Sequence, residues 1–245
     1  MFKSLLSIVL AFAFFLVPTS CEQLEKLGIT EEEIIAGLKE ALNFGATSAG
    51  SQLSARDGYL GNQLLRIGLP TDALSMIEKA YTLPGAETLI KPILATVVEK
   101  MNRGAEKAAS KAAPIFANAI TSMTLTDGRN ILMGTDTAAT QYLRQKTFAP
   151  LTTAFAPEIN AAMEEVGAGS AWNSLFTEYN SYVNPITTAT LGLQKINPNL
   201  GEYATGRALS GLFVKVAEEE KLIRDDPAKR TTDLLKKVFA EQDQK

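Results

Sequence analysis

The sequence predicts an all-α protein, a single compact multi-helix domain behind a signal peptide. Three observations carry this. Apolar residues recur at the helical period along most of the chain. Cap signals punctuate them, with Ser, Thr, Asp or Pro ahead of a run and Gly behind it. No two alternating apolar runs are joined by a hairpin dipeptide, and there is no internal repeat. The expected organisation is a signal peptide over 1–20, a tether over 21–29, a helical domain over 30–240 and a frayed polar tail over 241–245.

Thr30 opens the first helix, with Glu33 at capping-box spacing. Ile34, Leu38, Ala41, Leu42, Gly45 and Ala49 fall on one of its faces. Its second half is small (Gly45, Ala46, Ser48, Ala49, Gly50), which reads as close helix packing; a phosphate loop would need a lysine and a preceding strand, and has neither. Asp57 to Asn62 is loop. Pro70 and Asp72 start a short helix through Tyr81, and Pro84-Gly85 breaks it. A long helix from about Glu87 to Ala112 shows the stripe Ile90, Ile93, Leu94, Val97, Met101, Ala105, Ala108 and Ala112. Pro114 starts the next, with Phe116, Ile120 and Met123. Thr124 and Asp127 cap another, which Gly134 ends. Asp136 reads as the N-cap of a helix through Ala139, Tyr142 and Leu143, in a stretch punctuated by Pro150 and Pro157 and closed by Gly167. Trp172, Leu175, Phe176 and Tyr179 define an aromatic helix, and 184–201 reads as loop or short helix. Tyr203 to Arg224 is a strong helix, and Pro227 starts the last, through Phe239.

Composition narrows function by exclusion. With 24 basic and 27 acidic residues the formal net charge is −3, and no basic stripe is present, so nucleic acid is not an expected partner. The chain has no histidine and one cysteine. Ser–His and Cys–His catalysis are thereby excluded, and zinc and iron–sulfur sites lack ligands. No metal and no cofactor are expected. Carboxylate-only chemistry stays open.

The N-terminal segment carries an address. Lys3 precedes an apolar run from Leu5 to Val17, shorter than the roughly 20 residues of a spanning helix, and small residues Thr19 and Ser20 precede Cys21. This placement resembles the bacterial lipoprotein signal, and it departs from that pattern at Pro18, where a leucine-like residue is usual. The resemblance implies that Cys21 becomes the acylated first residue, holds the protein to a membrane, and, with Glu22 next to it, is sorted to the outer membrane or faces the periplasm. Several acyl chains anchor stably where one binds marginally. The alternative is an ordinary secreted protein cut near Ser20 with one unpaired thiol.

Further stretches resemble the bacterial domain-of-unknown-function family 4197. They are Asp57 to Asn62, Met101-Asn102-Arg103, Glu106 to Ala109 and Pro114-Ile115-Phe116. Asp136 to Thr140 joins them, with Tyr142, Arg144, Lys146 and Thr147. The closing block runs through Gly211-Leu212-Phe213, Ala217 to Lys221, Ile223-Arg224, Asp226-Pro227 and Arg230 to Phe239. The likeness covers roughly Thr30 to Phe239. It implies export and brings no established activity.

Two sets of charges are candidates for a site. Glu99, Asn102, Arg103 and Glu106 lie opposite the long helix's apolar stripe and are expected to face water or a second layer. Glu220 falls inside the stripe of Leu209, Phe213, Val216 and Ile223, whereas Glu218 faces away and Glu219 sits at the flank. An inward carboxylate needs a partner. Lys146, in line with Ala139, Tyr142 and Leu143, is the expected one, with Arg144 or Arg103 as substitutes and Arg144 and Arg224 near enough to receive an anion. The resulting expectation is a non-enzymatic binding or structural component of the cell envelope, with a protein partner there. A carboxylate-only enzyme and a carrier of an apolar ligand between helices are the alternatives.

Overall fold

The computed structural model describes residues 30–81, 84–181, 183–230 and 232–239; Cys21, the tether and the tail fall outside them. Among the described residues, helices are joined by turns and no strand is present. They are α1 (Glu31–Ser54), α2 (Thr71–Tyr81), α3 (Ala86–Ala109), α4 (Ala112–Thr121), α5 (Leu125–Leu132), α6 (Ala138–Glu164), α7 (Ala168–Ser181), α8 (Pro185–Leu191), α9 (Leu200–Asp225) and α10 (Asp233–Phe239). A short 3-10 turn, Pro227–Lys229, links the last two.

The expected capping boxes form. Thr30 Oγ1 accepts the Glu33 N–H while Glu33 accepts that of Thr30, and Thr124 and Asp127 repeat the exchange at α5. The predicted face of α1 is buried throughout, and its small half lets α9 come close: a Cβ at Gly45 would stand 3.4 Å from that of Glu219. α1 packs against α3, α4, α5, α9 and α10, so its residues form the floor of the core.

The most extensive pairing is α3 with α6. Lys100 meets Glu165 (2.6 Å) and Lys107 meets Glu158 (2.8 Å), so the two helices run antiparallel. Gly104 sits midway between those lysines. A Cβ there would lie 2.8 Å from the Ile159 Cα, so only glycine lets the backbones cross this closely. Lys111 also bonds Glu158. These hydrogen bonds, Lys107 first and then Lys111, hold the Glu158 carboxyl down at about 2.

Several boundaries differ from expectation. The long helix stops at Ala109, because Ser110 and Lys111 turn the chain before α4. Pro114 lies inside the first turn of α4, where its missing N–H costs nothing. Burial on α3 begins at Val97; Ile93 is 63 % exposed, because only the short α2 flanks the helix's first half. Pro150 and Pro157 do not interrupt α6, which runs through both. Both prolines are exposed, as are Lys146 and Thr153, whose carbonyls lose their helical partner and face water instead. The opposite face, Thr147, Leu151, Phe155, Ile159 and Met163, is buried, and that packing overrides the roughly 3 kcal/mol penalty of a helix-interior proline. The 184–201 stretch contains the short α8, capped by Asn184, which accepts from the Ile186 and Thr187 N–H groups. In the aromatic helix α7, Trp172 and Phe176 are buried with their ring centroids 4.5 Å apart, and Leu175 is exposed.

Two outcomes test the α3–α6 crossing. Gly104→Val should lower stability by about 1–3 kcal/mol in urea melts, because the backbones must separate. The Glu158 carboxyl titrates lower in the folded chain than its ordinary 4.5. Its contribution is therefore complete above that value and is lost as the pH falls toward 2. Wild-type and Glu158→Gln melts should differ near neutral pH and converge in acid.

Candidate functional site

The sequence places the Glu220 carboxylate on an inward helix face, and the structure gives it backbone to bind. α6 begins after Thr137, whose side chain makes no cap bond, and Asp136 does not act as the N-cap expected of it. The cap comes from α9 instead. Glu220 Oε1 accepts the Ala139 N–H (3.0 Å) and Oε2 accepts the Thr140 N–H (2.8 Å) and hydroxyl (2.7 Å). These are the second and third N–H groups of the helix, the ones an N-cap side chain ordinarily takes, and a carboxylate there also meets the positive end of the helix dipole.

Arg224, one turn after Glu220 on α9, completes the arrangement. Its Nε and Nη2 donate to Glu220 Oε1 at 3.1 and 2.9 Å, and Nη2 also donates to the Ile131 carbonyl in the last turn of α5 (3.0 Å). The acid thus meets the start of α6 and the base the end of α5. Arg230 continues the chain of contacts: 2 % exposed, it donates to the carbonyls of Ile223, Arg224 and Phe239 and lies over the Phe239 ring. It closes the C-terminus of α9 on α10.

A second cluster lies on α3. Asn102 and Glu106, expected on the outer face, are buried at 0 % and 5 % exposure. The loop between α1 and α2 covers them. Glu106 Oε1 accepts the N–H groups of Tyr59 (3.2 Å) and Leu60 (3.1 Å), and its Oε2 takes Arg103 at 2.6 Å. Arg103 also reaches Asp57 (2.8 Å), which sits at φ 68° in the left-handed region. Asn102 takes the Ile67 N–H on its oxygen and gives its amide to the carbonyls of Ile67 and Val98. The buried Tyr59 hydroxyl donates to the Ala208 carbonyl (2.8 Å); burial, and then the Glu106 charge, push its titration far above the usual range. Gly211 makes room for that ring, since a Cβ would stand 2.9 Å from it.

Several of the stretches that resemble a known family are joined by these clusters: Asp57 to Asn62 with Asn102, Arg103 and Glu106, and Asp136 to Thr140 with Glu220, Arg224 and Arg230. The model of the family described as "Protein of unknown function (DUF4197)" matches residues 28–240. The chain belongs to that family. No curated protein and no solved structure matches it.

In this DUF4197 protein, only Glu220 and Arg224 of the expected polar cluster come together. Lys146 is exposed, with its ammonium 5.7 Å from the Tyr142 ring centroid: the residue lies at the edge of the buried face, and its stem runs along the ring toward water. Arg144 is also exposed and stacks over Phe148 and Phe213 (5.7 and 5.5 Å). Arg103 belongs to the loop cluster. The sequence puts Arg224 in the cluster as an anion-receiving group, with the Glu220 partner expected at long range; the structure makes Arg224 that partner and adds the helix end, which had not been expected. Nothing in the sequence announced that helix end, since Asp136 offers what reads as a local cap and only the structure shows it unused.

Chemically, both clusters hold backbone. Every buried side-chain nitrogen and oxygen among the described residues has a partner, and no grouping there of three or more His, Cys, Asp or Glu would hold a metal. An apolar cavity of about 20 Å³ lies beside Glu220, lined by Leu38, Leu42, Ala139, Leu143 and Ile223 among others, room for about one water. No described helix is long and apolar enough to cross a membrane.

Removing the Glu220 carboxylate leaves a buried guanidinium and two orphaned N–H groups. Glu220→Ala should cost about 3–5 kcal/mol in urea melts, whereas Glu218→Ala, exposed and paired only with Lys215, should change stability by no more than about 0.5 kcal/mol. Glu220→Gln should fall between them. Coincident melts of the two alanine variants would overturn the capping role.

Proposed function

We propose that this protein is exported, that acylated Cys21 holds it on a membrane of a bacterial cell envelope, and that its helical domain serves there as a non-enzymatic binding or structural component. The observation that carries the address is the run from Lys3 through the apolar Leu5–Val17 to Thr19-Ser20-Cys21. A lone cysteine placed at the expected cut gains a use on this reading.

The geometry supports a structural role over chemistry. General acid–base work needs a carboxyl that reaches substrate. Both oxygens of Glu220 are spent on Ala139, Thr140 and Arg224, and both of Glu106 on Tyr59, Leu60 and Arg103. An apolar carrier needs a pocket of some hundreds of Å³, and the apolar space beside Glu220 is far below that.

Mass spectrometry of the protein purified from its own membranes should find a chain that begins at Cys21 and carries acyl groups. Cys21→Ala should move it from the membrane to the soluble exported fraction. A chain that starts elsewhere, or an unmodified Cys21 thiol, would sink the lipid anchor.

A further inference from the structure

A groove of about 370 Å³ opens between the end of α6, the start of α7 and the start of α9, away from both charged clusters. That volume lies within the range of small-ligand sites, roughly 300–1,000 Å³. Its walls are amides and hydroxyls. Asn160, Asn173, Ser174 and Asn199 face it, with Glu164 the single charge among its lining residues. Met163 and Leu200 lie beneath it, almost fully buried, and give it little surface.

The hydrogen-bonding state of these groups is unlike that of the clusters above. The Glu164 carboxylate is already occupied, by the Ser170 N–H and hydroxyl (both 3.0 Å). Asn160 and Ser174 make no side-chain hydrogen bond to any described residue, and the Asn173 amide nitrogen has no acceptor there. Gly201 leaves space for the Asn160 amide at the rim, since a Cβ would sit 1.8 Å from Oδ1.

This inventory selects a ligand class. Asn amides and Ser hydroxyls both donate and accept, as the hydroxyls of a sugar do. No lysine or arginine lines the groove, so an anion would meet Glu164 with no side-chain counter-charge. A mainly apolar molecule would strand the amides. We propose that the groove binds an uncharged saccharide unit, its hydroxyls on Asn160, Asn173 and Ser174. The site is independent of where the protein resides.

The chain supplies its own reporter. Trp172 is its one tryptophan, and its indole N–H donates to the Asn197 carbonyl, next to Pro198 and Asn199 in the groove wall. The full chain, held in a zwitterionic detergent without a sugar headgroup, is titrated with glucose, N-acetylglucosamine, maltose and inorganic phosphate. Trp172 emission is read, with equilibrium dialysis in parallel. At least one saccharide should give saturable binding and phosphate none. Asn160→Ala and Asn173→Ala should each weaken that binding by up to about tenfold, the loss of one hydrogen bond, with an unchanged urea midpoint because both side chains are exposed. Ser174→Ala serves if either variant misfolds. No saturable saccharide binding by either readout, a response to phosphate, or binding that survives all the substitutions would overturn the proposal.

Discussion

The contact between the Glu220 carboxylate and the first turn of α6 is the constraint on which the rest of this fold depends. α6 is the longest of the described helices, packs on α3, α4 and α9, and starts with no cap of its own. Its exposed N–H groups would be orphaned in the interior if α9 did not bring an acceptor to them. Glu220 sets the rotation of α9 about its axis, because only one face can present the acid at that depth. Arg224 then falls on the end of α5, and Arg230 on the end of α9 itself. One carboxylate in register therefore places three helix ends.

Four of the five buried charges among the described residues follow a common rule, Glu219, which accepts from the Gln52 side chain, being the exception. Glu106, Glu220, Arg224 and Arg230 are each spent on main-chain groups at the end of a helix or in a loop. Asn102 does the same without a charge. A buried ion pair alone contributes little net stability, because desolvation offsets the attraction. Bonded to backbone that would otherwise go unsatisfied, the same groups fix which segments meet. In this chain they convert polar residues on inward faces into instructions for topology.

Much of this was legible in the sequence, and the limits are physical. Capping boxes at Thr30 and Thr124 are local, since donor and acceptor lie three residues apart, and both read directly. The inward place of Glu220 followed from the apolar residues around it. Its partner did not, because backbone N–H groups 80 and 81 positions away leave no mark on the residue types between. Asn102 and Glu106 were expected to face water or a second layer, and the layer that covers them could not be read for a related reason. Helical periodicity separates an apolar stripe from a polar one, and a loop that lays its own backbone along the polar stripe buries it without any apolar signal. The prolines of α6 show the converse: local chemistry marked a break that tertiary packing on the opposite face overrode. The groove lined by Asn160, Asn173 and Ser174 draws on three separated segments, so nothing in their spacing announced it.

The pairing of α1 with α10 has a consequence for the order of assembly. Gly37 of α1 lies against Val238 and Leu234 of α10, some two hundred positions further on. Contacts of such separation form late, after the loop between them has been closed at an entropic cost. A growing chain has no α10 to offer until residue 239 has been added, so this side of α1 stays open at least that long. The interior reaches its final shape only once α10 has docked, and until then that side of α1 remains open to whatever else can cover it.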